Sequence, residues 1–99
     1  MNQIFHRGEV VPIFVIVENW LGEGVNPSQG CKLTIYKPDG TVEIADAAMD
    51  PLGDDGEYIY YYYSATDDPD DWWRYVATPT DGTGDTTKRV PVDGSFKLI

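Results

Sequence analysis

Turn-forming residues punctuate this chain so often that little room is left for a helix. Arg7-Gly8, Gly22-Glu23-Gly24, Asn26-Pro27, Pro38-Asp39-Gly40, Gly53-Asp54-Asp55-Gly56, Asp68-Pro69, Asp81-Gly82 and Asp93-Gly94 follow one another at short intervals. Gly and Asn accept positive φ, and Pro presets a turn. The stretches between them are too short for stable helices and suit strands. Short strands with turn signals roughly every 8–12 residues read as a sandwich or a barrel.

The predicted strands run Glu9 to Asn19, Cys31 to Lys37, Thr41 to Ala48, Glu57 to Ala65, Trp72 to Thr78, Thr86 to Pro91 and Ser95 to Ile99. A short first strand over Asn2 to His6 is added to these. Thr41 to Ala48 follows the Pro-Asp-Gly turn and is expected to pair back as a hairpin. No segment has helical periodicity, although a single turn near Ala45 to Met49 or Asp67 to Asp71 stays open.

Two strands lack the alternation expected of an antiparallel strand with one wet face. Val10 to Val17 is apolar at every position, and Tyr58 to Tyr63 nearly so. Such a strand is covered on both faces or meets another chain. Pro12 cannot donate to a ladder, which predicts an edge position or a bulge. In the tyrosine strand, Tyr58, Tyr60 and Tyr62 share one face while Ile59, Tyr61 and Tyr63 share the other. Trp73, Tyr75 and Ala77 likewise oppose Trp72, Arg74 and Val76. One set of each is expected in the core. The second set, above all Tyr61, Tyr63, Trp72 and Arg74, is the candidate partner interface, because exposed Tyr, Trp and Arg are enriched where proteins dock.

With 99 residues and 41% hydrophobic content, the chain suits one domain, residues 1–99, with a single core. The net charge of −10 argues against nucleic acid and against anionic lipid. Eleven Asp and Glu lie between Lys37 and Arg74 with no base among them, so one side of the domain is expected to be negative. The lone cysteine, Cys31, cannot form an internal disulfide. Met1 to Arg7 lacks the apolar run that follows the basic region of a signal peptide, so export is not expected. The apolar run Val10 to Val17 is too short to span a bilayer.

The inventory offers little for catalysis, and the expectation is that the protein is not an enzyme. His6 is the one histidine, and a nucleophile needs an oriented base beside it. Zinc has too few His and Cys ligands here. No phosphate-binding Gly-rich loop precedes a helix, and Gly82-Thr83-Gly84 reads as a turn. No cofactor is expected. The acidic loop carrying Asp67, Asp68, Asp70 and Asp71 is the metal candidate, for calcium, since calcium takes clustered oxygen ligands. The loop at Asp50 to Glu57 is a second acidic stretch. Neither has EF-hand spacing.

The order of cues is familiar. Arg7-Gly8-Glu9 leads into an apolar strand, followed by Ile35-Tyr36-Lys37-Pro38-Asp39-Gly40-Thr41-Val42, then Gly56-Glu57-Tyr58-Ile59-Tyr60, then the strand at Trp73, Asp81-Gly82 and a final strand with Phe96. This resembles the standalone immunoglobulin-like or fibronectin-III-like domains of tailed-bacteriophage and prophage virion structural proteins. More generally, it looks like bacterial immunoglobulin-like modules. The resemblance implies an all-β fold, an immunoglobulin-like antiparallel β-sandwich of about seven strands; the strand reading by itself is also compatible with a small open barrel. It implies a non-enzymatic virion protein, a neck, tail or capsid-decoration subunit, made in the host cytoplasm and held by contacts to other virion proteins in a homo- or hetero-oligomer. The alternative it implies is a cell-surface or adhesive binding module, assisted by calcium. The acidic loop at Asp67 to Asp71 departs from the shorter, Gly-ended turn of related sequences.

Overall fold

The computed structural model describes residues 3–19, 21–80 and 91–99. Within them the chain forms β1 (Gln3–Phe5), β2 (Val10–Ile16), β3 (Cys31–Tyr36), β4 (Val42–Ala48), β5 (Asp50–Pro51), β6 (Glu57–Tyr63), β7 (Trp72–Pro79) and β8 (Val92–Leu98). The predicted strand Thr86 to Pro91 lies outside the described residues except for Pro91, which is not in a strand. The turns at Asp81-Gly82 and Gly82-Thr83-Gly84 also lie outside them.

The strands form two sheets, one of five in the order β1-β8-β7-β3-β4 and one of three in the order β2-β6-β5. All pairs are antiparallel except β1 with β8, which is parallel. The chain changes sheet between β1 and β2, between β2 and β3, between β4 and β5, and between β6 and β7. The result is a β-sandwich of two separate sheets rather than a small open barrel, and no helical turn forms at Ala45 to Met49 or Asp67 to Asp71.

Period-two alternation decides what lies between the sheets. Val11, Ile13 and Val15 of β2 and Tyr58 and Tyr62 of β6 point inward from the small sheet. Leu33 and Ile35 of β3, Trp73 and Ala77 of β7, and Phe96 and Leu98 of β8 meet them from the large one. The Tyr62 ring lies 5.6 Å from Trp73 and 6.3 Å from Phe96, and the Trp73 and Phe96 rings stack at 5.8 Å. Each such aromatic pair adds on the order of 1 kcal/mol beyond its buried area. This trio joins the two sheets.

The Pro-Asp-Gly hairpin forms as expected and joins β3 to β4. Gly40 N–H donates to Lys37 O at 2.9 Å and Lys37 N–H to Thr41 O at 2.8 Å. Gly40 takes φ 90°, a value that disfavours any side chain. Asp39 Oδ1 accepts from the Thr41 hydroxyl and amide, which holds its carboxyl below the usual range. Further along, β4 shifts register against β3, and Asp46 sits there at φ 49°.

Asp93-Gly94 is not a turn. Gly94 lies in the middle of β8 opposite Tyr75. A Cβ built on it would stand 2.4 Å from the Tyr75 oxygen. The glycine makes room for a ring, not for a bend.

Candidate docking face

The two strands that lacked alternation are partners. β2 pairs with β6 along its whole length, with Val10 opposite Tyr63, Pro12 opposite Tyr61, Phe14 opposite Ile59 and Ile16 opposite Glu57. These are the outward positions, and the intervening ones fill the core. The outer face of the small sheet is therefore a continuous apolar surface ending at Glu57 and at Asp50, which pairs with Ile59. Val10, Phe14, Ile16, Tyr61 and Tyr63 are all exposed on it, with Tyr63 75% accessible and Phe14 44%. A contiguous apolar patch on a sheet is costly to leave in water and marks a binding surface.

Both edges of this sheet are poor at adding another strand. β2 is an edge strand carrying Pro12, as Pro12 led us to expect. β5 at the other edge has two residues, one of them Pro51. Proline and shortness both blunt an edge. The face, not the edge, is the surface this sheet offers.

The four candidate interface residues divide between opposite sides of the sandwich. Tyr61 and Tyr63 lie on the apolar face just described. Trp72 and Arg74 point outward from β7, on the other sheet. There Arg74 stacks over the Tyr36 ring at 4.6 Å, and Lys97 lies over the Trp72 ring at 5.8 Å. Ile4 and Lys97 are paired, as are Lys97 and Trp72, which extends the row across β1, β8 and β7. Sequence reasoning missed Phe14 and Ile16 as interface residues, although the doubly apolar run of β2 was their signal.

Charge is sorted differently from the expectation of one negative side. Asp54 and Asp55 fall in the turn before β6, while Asp67, Asp68, Asp70 and Asp71 fall in the loop after it, so the acids lie at opposite ends of the sandwich. The outward positions of the large sheet include Lys32, Arg74 and Lys97. Among the described residues the one ion pair is Lys37 with Glu43, at 3.5 Å.

The Asp67 to Asp71 loop is braced from within. Asp68 Oδ2 accepts hydrogen bonds from the Tyr62 hydroxyl and the Ala65 amide, each at 2.8 Å. Asp71 Oδ1 accepts from the Trp72 amide at 2.8 Å, and the Trp73 indole N–H donates to Pro69 O at 3.0 Å. Two of the four carboxylates thus cap the loop that carries the chain from β6 to β7, while Asp67 and Asp70 are exposed. Among the described residues no group of three or more His, Cys, Asp or Glu is placed to hold a metal ion.

The nucleophile and the base are not together. Cys31 is buried, and burial pushes its thiol up to about 11. His6 is exposed at the end of β1, where its amide donates to Glu9 Oε1 at 2.6 Å. Among the described residues no helix is long and apolar enough to cross a membrane.

Comparison with protein-family models, curated proteins and solved structures found no match to this chain.

Proposed function

We propose that this domain is a non-enzymatic structural subunit that joins a larger assembly through the outer face of the β2-β6-β5 sheet, and that the assembly is a tailed-phage virion. The observation that carries the docking reading is the apolar face itself. Val10, Phe14, Ile16, Tyr61 and Tyr63 have no core to fill, yet they occupy in-register neighbouring positions. Aromatic residues on a sheet that resists strand addition favour packing of a flat protein surface against them.

The virion assignment draws on the cue order from Arg7-Gly8-Glu9 to Phe96. The strand order supports its immunoglobulin-like part: β2-β6-β5 against β8-β7-β3-β4 parallels strands B-E-D against G-F-C-C′ of such sandwiches. The separation of Cys31 from His6 favours a role without covalent catalysis.

Mass determination of the purified chain, alone and in any particle containing it, tests this reading. It is expected in a particle at defined stoichiometry, with Phe14 or Tyr61 cross-linked to a neighbour. A strictly monomeric chain absent from every particle refutes it.

A further inference from the structure

Building on that docking reading, we propose that the apolar face is occupied by the opposite face of a second copy of this chain, so that copies stack front to back. The front is the outer face of β2-β6-β5, and the back is the outer face of the five-stranded sheet.

The two faces are complementary in sign. Among the described residues the front has no base, and its charges are the acids Asp50 and Glu57. The back presents Lys32, Arg74 and Lys97 against one outward acid of β8, Asp93 opposite Val76, so the bases outnumber it there. None of the three bases has a carboxylate partner among the described residues. Arg74 and Lys97 instead lie on aromatic rings. A cation held on a ring forms part of a flat, partly dehydrated surface, which suits it to cover apolar side chains. A chain of net charge −10 repels its own copies over most of its surface. Front-to-back contact is the arrangement that brings its exposed cations to its acid-rimmed apolar face. Front-to-front contact would leave those cations unused. The blunted edges at Pro12 and Pro51 favour stacking of faces over sheet extension. Because the two faces differ, the contact is heterologous and propagates into a ring or a filament.

Sedimentation velocity of the purified full chain over a concentration series, at low and high salt, tests the stacking. Phe14→Lys spoils the front by setting a like charge against the back. Arg74→Glu spoils the back in the same way. Thermal melts establish that both are folded, and Tyr63→Lys replaces Phe14→Lys if that variant fails to fold. The expected result is concentration-dependent association of the wild type that weakens with salt. Each variant alone associates at least about ten-fold more weakly. A one-to-one mixture of the two variants regains association through at least a mixed dimer, because each supplies the face the other lacks.

Stacking is overturned if Arg74→Glu associates as the wild type does, or if the mixture gives no dimer. It is also overturned if the wild type stays monomeric throughout. In that last case the docking reading above survives where the β2-β6 face is cross-linked to a different protein in a particle. It fails with the stacking where no particle contains the chain.

Discussion

Val10 and Val11 are chain neighbours of the same residue type that face opposite ways, so one substitution made at each position separates the core from the docking face. Val11 is 0% exposed and pairs with the core residue Tyr62, whereas Val10 is 41% exposed and pairs with Tyr63. Changing Val to Ala removes two carbons, or about 1.6 kcal/mol of transfer free energy when both are fully buried. At Val11 a cavity between tightly packed sheets adds on the order of 1 kcal/mol. The expected loss for Val11→Ala is therefore about 2–3 kcal/mol, a fall of roughly 10–20 °C in melting temperature for a domain of this size. At Val10 no cavity forms and part of the side chain is already in water, so Val10→Ala is expected to lose about 0.5 kcal/mol. Urea denaturation of both variants gives the two losses directly, with an unchanged m-value confirming that the states compared are the same. Self-association should respond in the reverse order, weakening for Val10→Ala at concentrations where both proteins are folded. Equal stability losses at the two positions would refute the assignment of β2 to one core face and one docking face.

Other consequences are equally direct. Gly94→Ala should cost about 1–3 kcal/mol in chemical denaturation by driving the half-buried Tyr75 ring off β8, and Tyr75→Leu in the same chain should recover much of the loss. The Cys31 thiol, buried and raised to about 11, should react with a thiol reagent at pH 8 only at the rate of unfolding, so fast labelling of the folded protein would contradict its place in the core. Burial, together with the hydrogen bond to Asp68, raises the Tyr62 phenol above its ordinary value, and burial with Asp93 nearby does the same for Tyr75. A raised folded-state value means that stability is complete below the ordinary tyrosine value of 10.0 and falls as pH rises beyond it, so the urea midpoint should drop on the alkaline side, with Tyr62→Phe dropping less steeply. Calcium and chelator should leave the melting temperature unchanged, because Asp68 and Asp71 are already engaged in bracing their loop; a rise with calcium would show that the loop binds the ion.

The turn at Pro38-Asp39-Gly40 and the strands around it are legible in the sequence, because local chemistry alone selects them. The same holds for the division of Tyr58, Tyr60 and Tyr62 from Ile59, Tyr61 and Tyr63, since a strand has a side-chain period of two. Asp93-Gly94 was misread as a turn because a glycine signals a bend and a close approach with the same letter. Only the ring of Tyr75 across the ladder tells the two apart. The Asp67 to Asp71 loop looked like a cation site for a similar reason. Its composition says that oxygens are present, while the Tyr62 hydroxyl and the Ala65 and Trp72 amides that engage two of them are brought there by the fold.

The order of residues alone requires that two strands carry more apolar surface than one core can take up, and it assigns the side chains of each strand to one side or the other. Periodicity within a strand settles that much. It cannot say which strands become neighbours, because pairing depends on where the loops return the chain. The folded chain sets β2 beside β6, joining two separate surpluses into one face with Tyr61 and Tyr63. The same pairing order set Trp72 and Arg74 on the far side of the sandwich, among the cations.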